Sequence, residues 1–379
     1  MSFKIDRIEC FQIRWPMPEP LANSISVFRE RATLLVAVWA DGVMGWGECW
    51  AEPEASQTII ANNLVHAVLH ADPTAPRVIW TRMMERLGRD RSGITHMAAS
   101  ALDMAVWDLN ARLANVSLAK MLGGPVTKVL PTYASGPFLK VGDDPYRDIV
   151  REIESYLERG FEAVKLRLGH SLKKDIETME AIRTSFDPQL RVMVDYNQGL
   201  SLIDALKAIR ELDGFGVQFI EEPLQADDLD GYRELSETSP IPIAAGESLA
   251  GIRRFKDFVS CGAINIAQPD VAHCGGVTEY LRILALGEAF DIPVVPHVWS
   301  SIVVHATSLQ LAALSPSRRA FDMPFPIFEI DPTPNALLDI CGPIKINPHG
   351  HIAVPDSPGI GIELSEKILA PFTAKHTVL

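Results

Sequence analysis

Features typical of secreted, membrane and nucleic-acid-binding proteins are scarce in this sequence. Its five cysteines are scattered and form no CxxC pair, which suits a reducing compartment with thiols as small core residues. No apolar run reaches the roughly 18 residues of a membrane-spanning helix, and the opening MSFKIDRIEC is not a signal peptide. The formal net charge of -13 argues against a nucleic-acid surface, since phosphate binding needs clustered Lys and Arg. We therefore expect a soluble, cytoplasmic protein with no membrane or nucleic-acid partner.

The chain also lacks the composition of a disordered protein and the glycine-rich turn of a nucleotide-binding sheet. Its hydrophobic fraction is 47% and its charged fraction 22%, both ordinary for a globular protein. A length of 379 residues suits two domains, or one large barrel with an appendage. The alternative is an open, doubly wound sheet, but VLPTYASGPF contains no GxGxxG.

Residues 1–125 have the pattern of a small α+β domain. The segment FKIDRIECFQIRW alternates between apolar and polar residues, and TLLVAVWADGVMGWGE contains an Asp41-Gly42 turn between two apolar runs, which is a hairpin signal. From Glu54 to about Gly123 the pattern becomes helical, most clearly in ASALDMAVWDLNARL.

Residues 126–346 alternate between short apolar strands and helical stretches. This alternation predicts βα units with a parallel sheet, and eight strands is the number that closes a TIM-type barrel. The remaining residues, 347–379, are rich in loops, and we expect them to pack on the N-terminal domain. The eight predicted strands are VLPTYAS, AVKLRLG, RVMVDYN, VQFIEEP, IPIAAGE, AINIAQPD, IPVVPHV and PIFEI.

Nearly every predicted barrel strand ends in an ionisable residue. One such residue per unit recurs at intervals of 23 to 32 residues, about the length of a βα repeat. The groups should therefore converge at the C-terminal ends of the strands, where barrels of this kind carry their active sites. They are Lys165 and Arg167, Asp195 with Asn197, Glu221 and Glu222, Glu247, Asp270, His297 and Glu329.

Three consecutive strands contribute carboxylates, from Asp195, Glu221 and Glu247. Oxygen ligands without a nearby thiol suit a hard divalent cation such as Mg²⁺, so we expect one metal ion per subunit. Glu222 follows Glu221 directly, and neighbouring strand residues point to opposite sides. The sequence therefore assigns the metal to Glu221 and a supporting or structural role to Glu222.

His297 lies one unit after Asp270. A lone histidine on an apolar strand is often a hydrogen-bonded core residue. A carboxylate on the preceding strand favours a general base instead, because it fixes the tautomer and raises the basicity of the other ring nitrogen.

A series of motifs in this order resembles the enolase superfamily, mandelate racemase subgroup (the mandelate racemase/muconate lactonizing enzyme family). The resemblance implies an α/β fold in which an N-terminal α+β capping domain covers a modified TIM barrel, (β/α)7β-like. VPHVW together with FEIDPTPN is most similar to sugar-acid lactone cycloisomerases and acid-sugar dehydratases. The motifs are GWGE, ALDMAVWDL, LGG, VKLRL, VDYNQ, FIEEP, AAGE, QPD, CGG, VPHVW and FEID.

The resemblance implies that Mg²⁺ binds a substrate carboxylate, that a base removes the alpha proton and that the resulting enediolate is stabilised by the metal. By the same resemblance, Asp195, Glu221 and Glu247 hold the metal, Asp270 and His297 form the base dyad, and Glu329 donates a hydrogen bond to the substrate from a protonated carboxyl. Asn197 would touch the substrate, and Lys165 would add fixed positive charge.

One position departs from the subgroup pattern. The K-x-K motif usually ends in a second lysine base, but this chain has Arg167 there, and a guanidinium is effectively never deprotonated. Our first hypothesis is therefore a lyase or isomerase acting on a sugar acid or its lactone by beta-elimination, as a cycloisomerase or dehydratase. The alternatives are a racemase or epimerase of a 2-hydroxy acid or similar carboxylate, and a non-catalytic ligand-binding relative.

The segment 18–31 is the predicted specificity loop. Arg29 and Arg31 in it are candidates for a distal anionic group on the substrate, and Trp299 of VPHVW is a further candidate for substrate contact. The resemblance also implies a homo-oligomer, from dimer to octamer.

Overall fold

The structure is a computed structural model that describes residues 3–319 and 323–379. None of the helices in these two ranges is long and apolar enough to cross a membrane. An N-terminal α+β unit comes first in the chain and a parallel barrel follows it.

The N-terminal sheet is an antiparallel meander. Its strands are β1 (Arg7–Ala22), β2 (Val27–Ala40) and β3 (Val43–Cys49), paired in that order. Asp41 and Gly42 form the predicted turn with φ of 52° and 75°, because a two-residue turn of type I′ needs positive φ at both positions.

The predicted specificity loop is a hairpin end. After an irregularity in the register between Pro16 and Leu21, β1 and β2 pair again close to its tip, with Leu21 opposite Phe28 and Ala22 opposite Val27. At the tip, Asn23 Oδ1 accepts the backbone N–H of Ser26 at 2.7 Å. The segment is therefore held by the sheet and is not an open loop.

Helices cover one face of this sheet. The longest, α4, is buried along most of its length and packs against β3. Gly47 makes the close packing possible, since a Cβ there would lie 1.9 Å from the carbonyl oxygen of Ala101. The helices are α1 (Pro53–Ile59), a π-helical turn (Ile60–Leu64), α2 (Val65–Val68), α3 (Pro76–Leu87), α4 (Gly93–Leu113) and α5 (Leu118–Met121).

The barrel strands are parallel and follow each other around the sheet. Their order begins at β13 and passes through β4, β6, β7, β8 and β9 to β10. Two short pairs lie outside this order: β5 adds to β1 of the N-terminal sheet, and β11 pairs with β12. The strands are β4 (Val129–Ala134), β5 (Leu139–Lys140), β6 (Ala163–Arg167), β7 (Arg191–Asp195), β8 (Val217–Glu221), β9 (Ile243–Ala245), β10 (Ile266–Ala267), β11 (Arg318–Arg319), β12 (Pro324–Phe325) and β13 (Phe328–Ile330).

Helices separate most of these strands, as the alternation predicts. Several begin at a serine whose hydroxyl caps the first turn, as Ser171 and Ser201 do. The helices are α6 (Ile149–Glu158), α7 (Leu172–Ser185), α8 (Leu202–Leu212), α9 (Leu229–Thr238), α10 (Gly251–Ser260), α11 (Gly276–Ala289) and α12 (Ile302–Ala312), with a 3-10 turn at Asp339–Cys341.

One predicted strand, IPVVPHV, is much reduced. It contacts its neighbour through isolated bridges, Ala267 with Val294 and Asp270 with His297. Pro293 and Pro296 have no N–H to donate to a ladder, which explains the interrupted pairing. The segment nevertheless follows the parallel course that places His297 beside Asp270.

The C-terminal segment contacts both units. β14 (His351–Ala353) pairs antiparallel with β4 of the barrel, and β15 (Thr373–Val378) pairs antiparallel with β1. Between them lie α13 (Glu366–Leu369) and a 3-10 turn (Ala370–Phe372). β15 therefore lies on the N-terminal sheet, while β14 lies on the barrel sheet.

Candidate active site

Strand register brings the predicted site residues together. Arg167 pairs with Asp195, and Asp195 pairs with Glu221, across three neighbouring parallel strands. The carboxyl ends of parallel strands meet at one edge of a barrel, so residues far apart in the chain become neighbours.

Asp195, Glu221 and Glu247 form a compact acidic cluster. One carboxylate oxygen from each lies within 4.8 Å of the others, and Asp195 and Glu221 are fully buried. Burial raises the pKa of each acid, and a second carboxylate of the cluster raises it further. Three oxygen donors at this spacing, two of them buried, can hold a hard divalent cation, which would remove their mutual repulsion.

Lys165 is a buried ammonium between two acids. Its Nζ forms ion pairs with Glu221 and, at 2.8 Å, with Glu329 Oε1. Burial alone would favour the neutral amine, but these two carboxylates outweigh it and raise the pKa of Lys165 above its ordinary value. The side chain therefore supplies fixed positive charge and is a poor proton acceptor.

The same ion pair also affects the pKa of Glu329. Burial opposes ionisation of this acid, but Lys165, His297 and Arg167 outweigh it and lower its pKa to about 2. Its other oxygen accepts the backbone N–H of Val298 at 2.8 Å. These neighbouring groups favour the ionised form of Glu329 in this arrangement, and its protonation beside a bound substrate stays a prediction.

Arg167 is held on three sides. Its Nε lies 3.3 Å from Asp195 Oδ2, and NH1 donates to the hydroxyl of Ser135 at 2.9 Å. The guanidinium carbon lies 4.2 Å from the centre of the Phe138 ring, within the range of a cation–π contact. These contacts fix the position of the guanidinium, as expected of a cation that stabilises negative charge on a ligand and transfers no proton.

Asp270 and His297 form a buried dyad. His297 Nδ1 lies 2.7 Å from Asp270 Oδ2, and the backbone N–H of Ala272 donates to the other oxygen of Asp270 at 2.7 Å. His297 Nε2 is directed at the acidic cluster, 3.1 Å from Glu247 Oε2. Burial lowers the pKa of His297, but Glu247 and Asp270 outweigh it and raise it to about 10.

A cavity of about 280 Å³ opens beside the cluster and the dyad. Asn197 and Trp299, both predicted from the sequence, are part of its wall. Arg29 is exposed and Arg31 is buried against Asp331, and neither lines the cavity. The lining residues are Asn23, Ile25, Ser26, Phe28, Trp50, Phe138, Arg167, Asn197, Gln198, Glu222, Glu247, Ser248, His297 and Trp299.

Sequence reasoning missed several residues of the site. Gln268 donates its amide to Glu221, and its place two residues before Asp270 on one strand could have indicated a shared face. Ser135 lies at the end of the VLPTYAS strand, where a site residue is expected. Glu222 was assigned away from the cavity by strand alternation, but it follows the end of β8 with a φ of 35°, so it lines the cavity.

Glu48 of the GWGE motif links the N-terminal unit to the site. Its carboxylate accepts hydrogen bonds from the hydroxyls of Thr33, Ser300 and Ser301 and from the backbone N–H groups of Ser301 and Val304. Burial raises its pKa, while the serine and threonine hydroxyls lower it. These bonds tie β3 to the first turn of α12, directly after the segment that carries His297 and Trp299.

Comparison with known proteins agrees with this geometry. Residues 148–368 match the family model described as enolase C-terminal domain-like, and residues 7–123 match that of the mandelate racemase / muconate lactonizing enzyme N-terminal domain. The chain is 30% identical to D-galactarolactone cycloisomerase of Agrobacterium fabrum over 375 residues, which is 97% of this chain and 98% of that protein.

Solved structures resemble the whole chain. The 3,6-anhydro-D-galactonate cycloisomerase from Zobellia galactanivorans is 29% identical with a TM-score of 0.88, covering 98% of this chain and 100% of that one. A racemase from Streptomyces coelicolor A3(2), solved with bound magnesium, is 29% identical with a TM-score of 0.87, covering 98% and 100%. The chain therefore belongs to the mandelate racemase / muconate lactonizing enzyme family of the enolase superfamily.

Proposed function

We propose that this protein removes the proton alpha to the carboxylate of a sugar acid or sugar-acid lactone and then expels a beta oxygen, as a cycloisomerase or a dehydratase. The observation that carries the proposal is the position of the Asp270–His297 dyad, whose free nitrogen, Nε2, lies 3.1 Å from an oxygen of the acidic cluster. A base so placed can reach an alpha carbon whose carboxylate is bound at that cluster.

Asp195, Glu221 and Glu247 would hold Mg²⁺. The fit rests on their donor atoms, which are all oxygen and lie within 4.8 Å of one another. When bound, the ion offers positive charge to the substrate carboxylate, whose alpha proton is otherwise too weakly acidic to leave at neutral pH.

His297 would take the alpha proton on Nε2. Asp270 holds Nδ1 at 2.7 Å, which fixes the tautomer with Nε2 free to accept. An imidazole accepts a proton only when it is neutral. Among the groups that raise the pKa of His297, and so favour its charged form, Glu247 has the largest effect. Because Glu247 is also one of the three acids proposed for the cation, binding of the cation would offset that influence.

Other charged groups would receive the negative charge that develops on the substrate. Lys165 is a buried ammonium beside Glu221 and Glu329, and Arg167 is a fixed guanidinium at the cavity wall. Asn197 Oδ1 lies buried without a hydrogen-bond partner among the described residues, so it is free to accept a substrate hydroxyl. These groups are already oriented before substrate binds, which is what electrostatic stabilisation requires.

Racemisation is the alternative function, because the chain is also similar to a racemase structure. Direct inversion needs a base on each face of the alpha carbon. On the face opposite His297, the candidate bases are Arg167 and Lys165, and carboxylates raise the pKa of both. This charge arrangement favours chemistry with one base, and therefore elimination.

The test is a screen of aldonic acids, aldaric acids and their lactones with Mg²⁺ in D₂O, followed by proton NMR. Elimination products support the proposal, while deuterium in both epimers without elimination supports a racemase. The His297→Asn variant should lose turnover but keep binding of metal and substrate. Full activity after EDTA treatment would contradict the metal assignment, and a wild type that binds acid sugars without turning over any of them would support the non-catalytic alternative.

Two further inferences concern the whole protein. We retain a cytoplasmic location and a homo-oligomer as predictions from the sequence and the family resemblance. Cell fractionation and light scattering on the purified protein would check them.

A further inference from the structure

Several aromatic side chains form one wall of the cavity. The ring of Trp299 lies 5.1 Å from that of Phe138 and 6.0 Å from that of Phe28, centre to centre. Phe28 comes from the β1–β2 hairpin, which also contributes Ile25 at its tip. This wall offers flat apolar surfaces that suit the C–H faces of a sugar and cannot neutralise a charge.

The positive charges of the cavity lining lie beside the acidic cluster. Among the lining residues of the described chain, only Arg167 and His297 are basic. Arg167 pairs with Asp195, and His297 lies between Asp270 and Glu247. The other ionisable groups of the lining, Glu222 and Glu247, are acids. A second substrate carboxylate held away from the cluster would therefore meet no further cation among the described lining residues.

Arg31 is a further cation close to these aromatic side chains, but its charge is paired with an acid. Its Nη2 lies 2.7 Å from Asp331 Oδ2 and donates to Thr333 Oγ1 at 3.0 Å, while Nε and Nη1 are buried without a partner among the described residues. The guanidinium carbon lies 4.0 Å from the centre of the Trp299 ring. Arg31 therefore packs against the Trp299 ring and is not among the residues that line the cavity.

We infer, on the basis of the proposed function, that the substrate carries a single carboxylate, the one bound at the acidic cluster. Its other end is neutral, as in an aldonate, an anhydro-aldonate or a lactone with one free acid. Neutral side chains of the lining, including Ser26 and Ser248, can meet its hydroxyl groups. The second carboxylate of an aldarate would lose water without gaining a partner, and this is unfavourable.

The test compares two acids that differ only at the far carbon, galactonate and galactarate. Their affinities are measured by calorimetry on the Mg²⁺-loaded His297→Asn variant, and kcat/KM is measured on the wild type for whichever acid reacts. We expect galactonate to bind at least roughly tenfold more tightly, the difference that one unpaired buried charge readily produces. Equal affinity, or a preference for galactarate, would overturn the inference and leave the proposed function standing.

A cation added at the hairpin tip provides a second, independent test. Ile25 lines the cavity and is 57% exposed, so Ile25→Arg should fold. We expect it to shift the affinity ratio several-fold toward galactarate. Val27→Arg is the matched control, since it adds the same charge to the same hairpin outside the lining, and it should leave the ratio unchanged. If Ile25→Arg left the ratio of the two affinities unchanged, the claim that a missing cation sets the preference for galactonate would be contradicted.

Failure of the proposed function would look different. In that case no acid sugar in the screen would exchange its alpha proton or undergo elimination, and neither galactonate nor galactarate would bind the metal-loaded variant. That outcome would overturn this inference as well, whereas a changed ratio between two acids that do bind concerns the inference alone.

Discussion

Replacing Glu48 with glutamine tests whether the N-terminal unit positions the catalytic segment. The variant keeps the shape of the side chain but exchanges one acceptor oxygen for an N–H₂ group. With the new NH₂ group at the position of Oε2, it faces the backbone N–H of Val304. With the NH₂ group at the position of Oε1, it faces the backbone N–H of Ser301. Either orientation leaves one buried backbone donor without an acceptor, because only the hydroxyl groups can rotate to accept.

The magnitude follows from these contacts. An unsatisfied buried N–H costs about 1–3 kcal/mol, and loss of a negative charge at the first turn of a helix costs about 0.3–1 kcal/mol. Removing a buried charge offsets part of this. We expect the free energy of unfolding to fall by about 2 kcal/mol, and kcat/KM to fall as well, because Ser300 and Ser301 follow Trp299 directly.

Urea unfolding and steady-state kinetics measure the two effects. Glu54→Gln is the matched control, since Glu54 is an exposed acid that pairs with Arg14 at 2.8 Å. Surface pairs of this kind contribute about 0–1 kcal/mol. If Glu48→Gln behaved like Glu54→Gln in both assays, the positioning role of Glu48 would be refuted.

Three further predictions concern stability and proton transfer. Burial lowers the pKa of His305 to about 4, so the unfolded chain binds the proton more readily, and the free energy of unfolding should fall by up to about 3 kcal/mol as the pH falls from about 6.5 to 4. His305→Leu should flatten that part of a plot of the urea midpoint against pH. If replacing the exposed His349 by leucine flattened the plot equally, the effect would not come from the burial of His305. Gly47→Ala should lower the free energy of unfolding by more than about 3 kcal/mol, because the new Cβ would lie 1.9 Å from the carbonyl oxygen of Ala101. Gly42→Asn, at a position with open space around it, should lower the free energy of unfolding by less than about 1 kcal/mol. Arg167→Lys should introduce slow deuterium incorporation into both epimers, seen by NMR, because it adds a side chain able to lose a proton; no change in exchange or turnover would require another role for Arg167.

Much of the site could be predicted because a parallel barrel converts sequence periodicity into position. Each strand ends at the same rim, so Asp195, Glu221 and Glu247 are adjacent whenever the repeat is intact. The Asp270–His297 pair follows from the same rule, even though prolines interrupt the last ladder. Residue type alone then indicates oxygen ligands for a cation and an oriented imidazole.

Features that depend on contacts between distant segments could not be read from the sequence. Strand alternation placed Glu222 away from the cavity, but alternation stops where the strand ends and the backbone turns to positive φ. The pKa of Glu329 depends on Lys165, which lies 164 residues earlier in the chain and 2.8 Å away in space. Arg31 was a candidate for a substrate anion, yet Asp331 neutralises it.

The sequence by itself determined the order of elements, the barrel rim and the chemical types of the groups that meet there, because these follow from local periodicity and from the parallel course of the strands. The tertiary structure decided the ion-pair partners of each group and the aromatic wall of the cavity. Both depend on which side chains of the β1–β2 hairpin and of the late barrel loops come within a few ångströms of each other, and no local pattern in the chain records those distances.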